Sequence, residues 1–324
     1  MQAVIVWRLA ACEVRSTMNS KSTSLKAGVF GAGVFGGHHA RKYAASDRAE
    51  LIGVYDISRD RAEALAADLG VKAFDSAEAL VEACEAVTVA NPAIAHYDSA
   101  KLALEAGCHV LCEKPLADTA VRGRELIALA EAKGRVLQVG HQERFVFKAM
   151  GLFNINEVPL RVTARRMGVP STRNLDVSVT VDLMIHDLDL AIALAHSPLD
   201  RMEAEARIVK NDSADVAHAV LTFANGYVAE LTSSRVADVL DRVMRIEYRS
   251  GVLEIDFVKK TFSNTTGFPL DPDFGENPQA KDSLGANVNA FLASVLDGAP
   301  VAVPAEAGLA ALQVARDIDR LAVA

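Results

Sequence analysis

Asp182, His186 and Asp189 stand four and three residues apart in an otherwise apolar stretch. Read as a helix over 180–195, turning about 100° per residue, the three share one face. Met184, Leu188, Ala191, Ile192 and Ala195 fall opposite and are expected to pack on a core. An imidazole, with an unperturbed pKa of about 6.5, takes a proton from a hydroxyl near neutral pH. A carboxylate one turn earlier can orient that ring. Lys114, in Glu113-Lys114-Pro115, ends a short apolar run elsewhere in the chain. An ammonium there stabilises a developing alkoxide or relays a proton with Asp182. The bland alternative is a capping Asp182, a packed His186 and a solvated Lys114. Base, cation and carboxylate together suit oxidation of an alcohol, in which oxygen loses a proton and carbon loses a hydride. Such chemistry needs a hydride acceptor.

The residues to hold one lie near the start. Gly31, Gly33 and Gly36, in GAGVFG, follow an apolar run at Lys26–Phe30 and open a helical pattern. A lone GxGxxG is weak, but between strand and helix it predicts a dinucleotide-binding turn. Gly31 permits the tight turn, Gly33 lets the backbone approach a pyrophosphate, and Gly36 lets helix and strand close up. Val34 and Phe35 begin the helix, whose positive end meets the pyrophosphate. Asp56 ends the next apolar run, twenty residues past Gly36. A carboxylate there accepts from both ribose hydroxyls and repels a 2′-phosphate, which favours NAD over NADP. Arg59 and Arg61 weigh the other way, since either can pair with that phosphate.

Further apolar runs at 86–90, 109–112 and 135–139 alternate with Ala-rich amphipathic stretches such as 59–69 and 99–106. This is the βαβ pattern of a Rossmann fold, a doubly wound parallel sheet with strands buried on both faces. Ligands sit at the carboxyl ends of such strands. Asn91, Pro92, Glu113 and Lys114 are therefore expected beside the cofactor. After about Phe145 the period changes. Stretches 160–166, 203–210 and 216–224 read as strands, and Asn225-Gly226 is a hairpin signal. A second hairpin turns at Ser250-Gly251. Met244, Ile246 and Tyr248 alternate with Arg245 and Glu247, and Leu253, Ile255 and Phe257 with Glu254 and Asp256. This predicts an α+β domain with an open, mainly antiparallel sheet, apolar on one face. Residues 261–281 lack a period and read as a loop near the cleft. Two helices, 283–296 and 305–322, end the chain, with Pro304 just before the second.

The 324 residues suit two domains. The expected division is an extension over 1–24, a dinucleotide domain over 25–145 and a substrate and oligomerisation domain over 146–324. Thirty-four Lys and Arg against 42 Asp and Glu leave a net charge of −8, which argues against a nucleic-acid or anionic-membrane partner. No apolar run reaches the roughly 18 residues that span a bilayer. The opening MQAVIVWRLAACEVRS has no basic lead, and Arg8, Glu13 and Arg15 interrupt it. It reads as an extension, with Met18 a candidate start, rather than a secretory leader. Four cysteines, Cys12, Cys84, Cys108 and Cys112, are too few for a disulfide framework and read as reduced thiols. No His or Cys spacing suggests a metal. A metal-free cytoplasmic protein is expected.

GAGVFG (Gly31–Gly36), ANPAIAH (Ala90–His96), AGCHVLCEKPLA (Ala106–Ala117) and DLMIHDLD (Asp182–Asp189) stand in an order and spacing that resembles the Gfo/Idh/MocA oxidoreductases, the glucose–fructose oxidoreductase and inositol dehydrogenase group. The resemblance implies that Lys114 lies near the nicotinamide, that His96 belongs to the cofactor site, and that Asp182 and His186 supply the acid–base chemistry. Met184 stands where the family often has glycine. GHQERF (Gly140–Phe145) resembles the family's exit from the nucleotide domain, which implies that Arg144 reaches the substrate. The family's open sheet packs on another subunit, so a homodimer or homotetramer is expected. MGVPSTRN (Met167–Asn174) with DLMIHDLDL (Asp182–Leu190) is similar to members that oxidise the 3-hydroxyl of UDP-N-acetylglucosamine. On that reading Arg161, Arg165, Arg166 and Arg173 hold the diphosphate while His186 faces the sugar. Solvated strand-edge charges are the plainer account of these arginines. A free sugar or inositol is the alternative substrate, and a non-catalytic cofactor-binding regulator the alternative role.

Overall fold

The computed structural model describes residues 24–171 and 175–322. The expected N-terminal extension (save Ser24), Cys12 and Arg173 lie outside the described residues.

Six strands form the first sheet: β1 (Leu25–Phe30), β2 (Ala49–Tyr55), β3 (Lys72–Ala73), β4 (Ala86–Val89), β5 (His109–Cys112) and β6 (Leu137–Val139). Their order is β3-β2-β1-β4-β5-β6, all parallel. Both faces are covered by α1 (Val34–Ala44), α2 (Arg59–Leu69), α3 (Ala77–Ala83), α4 (His96–Glu105) and α5 (Ala120–Lys133). That is why Val29, Val87, Val89, Val110 and Leu111 are all buried rather than alternating in and out. Strand order reverses beside β1, so the carboxyl ends of β1 and β4 open on the crevice where such sheets bind ligands. The short β3 was not expected from periodicity, since two residues carry no period.

The second sheet has the order β13-β12-β11-β7-β10-β9-β8. Its strands are β7 (Arg161–Met167), β8 (Leu199–Arg207), β9 (Val216–Phe223), β10 (Val228–Ser234), β11 (Asp241–Tyr248), β12 (Gly251–Asp256) and β13 (Thr261–Asn264). Only β7 and β10 pair in parallel. Both expected hairpins form, at Asn225-Gly226 and at the β11–β12 turn. The inner face is apolar, and α6 (Glu143–Met150), α7 (Ile185–Ala195) and α10 (Ala305–Ala322) share its core. The region over 261–281 is not a plain loop. It contributes β13, a short 3₁₀ turn and α8 (Pro278–Lys281), capped by Asn277. These short pieces are anchored by the buried Phe274 and Ala280; single anchors leave no periodic trace.

Residue 145 does not divide the packing. Val288, Phe291 and Leu292 of α9 (Ser283–Asp297) join Leu25, Val29, Tyr43 and Leu51 in one core of the first sheet. A bridge between Gln138 and Pro304 and the close fit of Gly308 on Val139 bring α10 back to β6. The chain's last forty residues thus lock the two domains around the crevice. No helix among the described residues is long and apolar enough to cross a membrane.

Candidate active site

The glycine turn has the shape its residues demand. Gly31 has φ +94°, and a Cβ there would meet the Ala90 carbonyl and the Asn91 amide at 2.7 Å. A Cβ at Gly36 would sit 1.8 Å from the Gly31 carbonyl oxygen, so only glycine lets α1 begin here. A Cβ at Gly33 would meet nothing within 4 Å. That open space lies at the N-terminus of α1, where no side chain caps the helix and no acid occupies the first turn. The amides and positive dipole of a helix end suit a pyrophosphate. Val34 and Phe35 stay exposed beside it. Asp56 holds the turn: its two oxygens accept from the Ala32 and Ser58 amides at 2.8 Å, and Arg61 pairs with it at 2.7 Å. Burial would raise the Asp56 carboxyl, but the Arg61 hydrogen bond and the two amides outweigh it and hold the pKa below its ordinary value. Arg59 is engaged by Glu63 and Asp75. Both arginines therefore serve carboxylates within the chain.

Glu113 is buried, not solvated. It accepts from His39 of α1 at 2.7 Å and from the Gln142 amide at 3.3 Å, joining the glycine-turn helix to the end of β5. Burial raises its pKa; the His39 bond and the charges of His39 and Lys114 outweigh that and keep it ionised. His96 is also interior. Its ring spans the Pro115 carbonyl at 2.6 Å and the Asn91 carbonyl at 2.9 Å, tying the turn after β4 to the turn after β5. Asn91 donates to Ser99, and Pro92 begins the short 3₁₀ turn Ala93–Ala95. Glu113 and His96 thus shape the crevice through the loops they join.

Lys114 crosses the crevice. Its Nζ donates to the Asp182 carbonyl at 2.7 Å and to its carboxylate at 3.0 Å. Asp182 lies in a π-helical turn, Thr180–Met184, which leads into α7. Helices carry such turns at functional sites more often than elsewhere. The wider turn breaks the regular 100° register assumed over 180–195. Asp189, in the regular α7 with His186, lies buried and gripped by Arg144 through Nε and Nη2 at 2.7 and 2.8 Å. Arg144 is thereby used inside the chain rather than held open for a ligand. His186 is half-buried, one turn past Asp182, and its Nδ1 has no partner. Burial, then the charges of Lys114 and Arg166, push its pKa well below the usual histidine value, so the ring is neutral at pH 7. A neutral imidazole beside an ammonium is a base next to an oxyanion stabiliser.

The arginines do not form one cluster. Strand alternation sends Val162, Ala164 and Arg166 inward, and Arg161 and Arg165 outward. Arg165 is exposed and pairs with Asp241; Arg161 is exposed and pairs with Glu230. Arg166, 2% exposed, donates to Asp187 at 3.0 and 2.8 Å and to Glu143 at 2.8 Å. It is a buried structural tie between β7, α6 and α7, with no face left for a diphosphate.

Two residues that periodicity did not single out lie in the crevice instead. His141, just past β6, is 1% exposed, and neither ring nitrogen has a partner among the described residues. Its ring stands edge-on to His186, centroids 6.3 Å apart. Arg242 begins β11 on the inner face, directly across from Arg166. Its Nε is buried with no acceptor among the described residues. The available signal for Arg242 was parity: it shares a face with Met244, Ile246 and Tyr248. Among the described residues, no group of three His, Cys, Asp or Glu is arranged to hold a metal.

Comparison with known proteins agrees with this geometry. Residues 25–141 match the model of the oxidoreductase family with an NAD-binding Rossmann fold, Gfo/Idh/MocA, and residues 163–254 match that family's C-terminal domain. The chain is 34% identical over 302 residues to UDP-N-acetylglucosamine 3-dehydrogenase of Acidithiobacillus ferrooxidans, covering 90% of this chain and 96% of that one. A solved structure of the dehydrogenase of that name and organism superposes with a TM-score of 0.85 at 33% identity, over 92% of this chain and 97% of that one. Inositol 2-dehydrogenase of Rhizobium meliloti is 27% identical, over 90% of this chain and 95% of that one. With both domains matched and a relative aligned over nearly its whole length, the chain belongs to the Gfo/Idh/MocA oxidoreductase family.

Proposed function

We propose that the protein oxidises the 3-hydroxyl of UDP-N-acetylglucosamine, or of a close nucleotide-sugar, with NAD. The coarser statement stands on the family: it is an NAD(P)-dependent oxidoreductase acting on a sugar CH–OH group. The observation that carries the mechanism is the Lys114–Asp182 pair one turn before His186, which joins the two domains at the mouth of the first sheet.

Bound at the glycine turn, NAD supplies the hydride acceptor. Gly31, Gly33 and the α1 amides hold its pyrophosphate, and Asp56 holds the adenosine ribose. Asp56 and its pairing with Arg61 favour NAD over NADP, because the carboxylate repels a 2′-phosphate and Arg61 is already engaged. The substrate hydroxyl donates to the neutral His186, which takes its proton as the carbon loses hydride. Lys114 stabilises the oxyanion character that develops on that oxygen, and Asp182 holds Lys114 in place. His141 offers a second imidazole for a neighbouring polar group.

The alternative substrates are free sugars and inositols, supported by the inositol dehydrogenase relatives. Supplying UDP-N-acetylglucosamine, free hexoses or inositols with NAD, and following absorbance at 340 nm, tests the reading. NADH formation with the nucleotide-sugar is expected. Formation only with inositol overturns the substrate, and formation with none overturns the dehydrogenase. His186→Asn should lose turnover and keep NAD affinity. The same reading places the protein in the cytoplasm, where its thiols Cys84, Cys108 and Cys112 stay free. It also pairs the outer face of the second sheet with another copy, giving a homodimer or homotetramer. Light scattering that finds a monomer at micromolar concentration overturns that assembly.

A further inference from the structure

Arg242 is the unusual cation of the crevice. Strand parity turns it inward with Met244, Ile246 and Tyr248, which are fully or almost fully buried. An arginine placed there for solubility would face outward, as Arg245 does on the same strand. One placed for structure would be paired, as its cross-strand neighbour Arg166 is, with Asp187 and Glu143. Arg242 is neither. It has no ion pair among the described residues, and its Nε is buried with no acceptor. Burial draws its pKa down and Arg166 adds to that, yet a guanidinium stays charged at any working pH. Leaving such a donor bare is costly in a closed interior and useful in a binding site. Its cross-strand neighbour Arg166 binds Asp187 of α7, the residue after His186, so Arg242 stands at the end of the sheet where the reacting group lies. Among the described residues, Lys114 is held by Asp182 and Arg166 by Asp187 and Glu143. Arg161 and Arg165 sit on the opposite face of the sheet.

We infer that Arg242 is the specificity-determining residue that binds an oxyanion on the substrate, so that the enzyme selects sugars carrying a phosphoryl group or a carboxylate over neutral sugars. This rests on the dehydrogenase reading for its site and adds the residue that reads the anion of the substrate. Arg242 touches the anion and not the reacting hydroxyl, so its loss raises KM more than it lowers kcat. A guanidinium binds phosphoryl and carboxylate oxygens in the same forked way, and the choice between these sources is left to the ligands tested.

The test measures binding by calorimetry to the NADH-loaded protein, with UDP, inorganic diphosphate, glucose 6-phosphate and glucuronate as separate probes. Turnover of neutral and anionic sugars is followed in parallel. Arg242→Gln is expected to weaken binding of at least one probe by about 10- to 100-fold with NADH affinity unchanged, and to raise KM for the matching substrate with kcat within a few-fold. Arg242→Lys should recover part of the affinity, because charge returns without the fork. Tight UDP or diphosphate with weak glucuronate identifies a phosphoryl source, and the reverse a carboxylate. Wild-type protein that binds none of the four, or an Arg242→Gln variant of unchanged Tm that binds them equally well, overturns the inference. Reduction of NAD by neutral sugars with no anion binding sinks Arg242 alone. Anion binding through Arg242 with no NAD reduction sinks the dehydrogenase reading alone.

Discussion

The glycine turn and the charged floor beneath α7 both place polar groups at the mouth of a sheet, by opposite means. The turn works with backbone. Gly31, Gly33 and Gly36 remove side chains so that amides and a helix end stand open, and Asp56 pins the loop from below. The floor works with side chains. Arg166 is clamped by Asp187 and Glu143, Arg144 by Asp189, and Lys114 by Asp182. A backbone device is local in sequence and tolerates distant change. A buried ion-pair floor gathers residues from β5, α6, β7 and α7, and fails when one partner is removed. The difference teaches where mutations should cost affinity and where they should cost the fold.

The largest effect is expected at Lys114, which reaches from the end of β5 across the crevice to Asp182. Lys114→Met should lower kcat by roughly 10²- to 10⁴-fold, while cofactor affinity, read by NADH fluorescence, changes little. A fall in affinity matching the fall in kcat would move Lys114 out of the chemistry and into the turn's scaffold. Next comes the floor. Asp187→Ala leaves Arg166 buried beside Glu143 alone and should cost about 3–5 kcal/mol in denaturant unfolding. A cost under about 1 kcal/mol would show that the floor is wet and not a clamp. In the turn, Gly33→Val fills space that no atom of the described residues enters within 4 Å of the added Cβ. It should keep the wild-type Tm and weaken NAD binding by at least about tenfold. Gly36→Ala, aimed at the Gly31 carbonyl, should lose both. Equal behaviour of the two variants would erase the distinction between open and closed glycines.

Acid sharpens the comparison further. Burial is the largest cause of the lowered pKa of His96, His141 and His186. The unfolded chain therefore binds protons that the folded one refuses. Stability is full above about pH 6.5 and falls as pH drops from there toward the depressed folded values, by up to about 1.4 kcal/mol per pH unit for each histidine. The carboxylates Asp56 and Glu113 act at lower pH: their lowered pKa values add stability that is lost only as pH falls through the folded values. Melting curves from pH 7.5 to 5 should show the histidine loss, and His141→Phe should flatten it. The smallest effect belongs to Arg165→Ala. Its exposed pair with Asp241 is worth under about 1 kcal/mol, so Tm and KM for the sugar should both stay near wild type.

Arg165 and Arg166 show how far sequence reading extends. They are neighbours of one type, and both were expected to bind substrate. Period two sends them to opposite faces, and the fate of each depends on what the facing element offers. Asp241 and open solvent meet one, Asp187 and Glu143 the other. Asp189 was misplaced for a related reason: it shares the regular α7 with His186, but Arg144 of α6 meets it and holds it in the interior. His141 and Arg242 were passed over because each is a single polar residue at the end of a strand, with no local partner to mark it.

The sequence by itself determined the parallel sheet, the glycine turn, Asp56 at the end of β2 and the two hairpins, and it singled out Lys114 and Asp182, which the fold brings into contact. Each depends on residues close in the chain, on glycine's missing side chain, or on a motif. Only the tertiary structure decided which arginines are buried ties and which pair at the surface, that Glu113 and His96 brace the crevice from inside, and that α9 completes the core of the first sheet. Those outcomes turn on distant partners meeting in a low-dielectric interior, where a charge must find its counterion or face a ligand, and no stretch of neighbouring residues encodes that meeting.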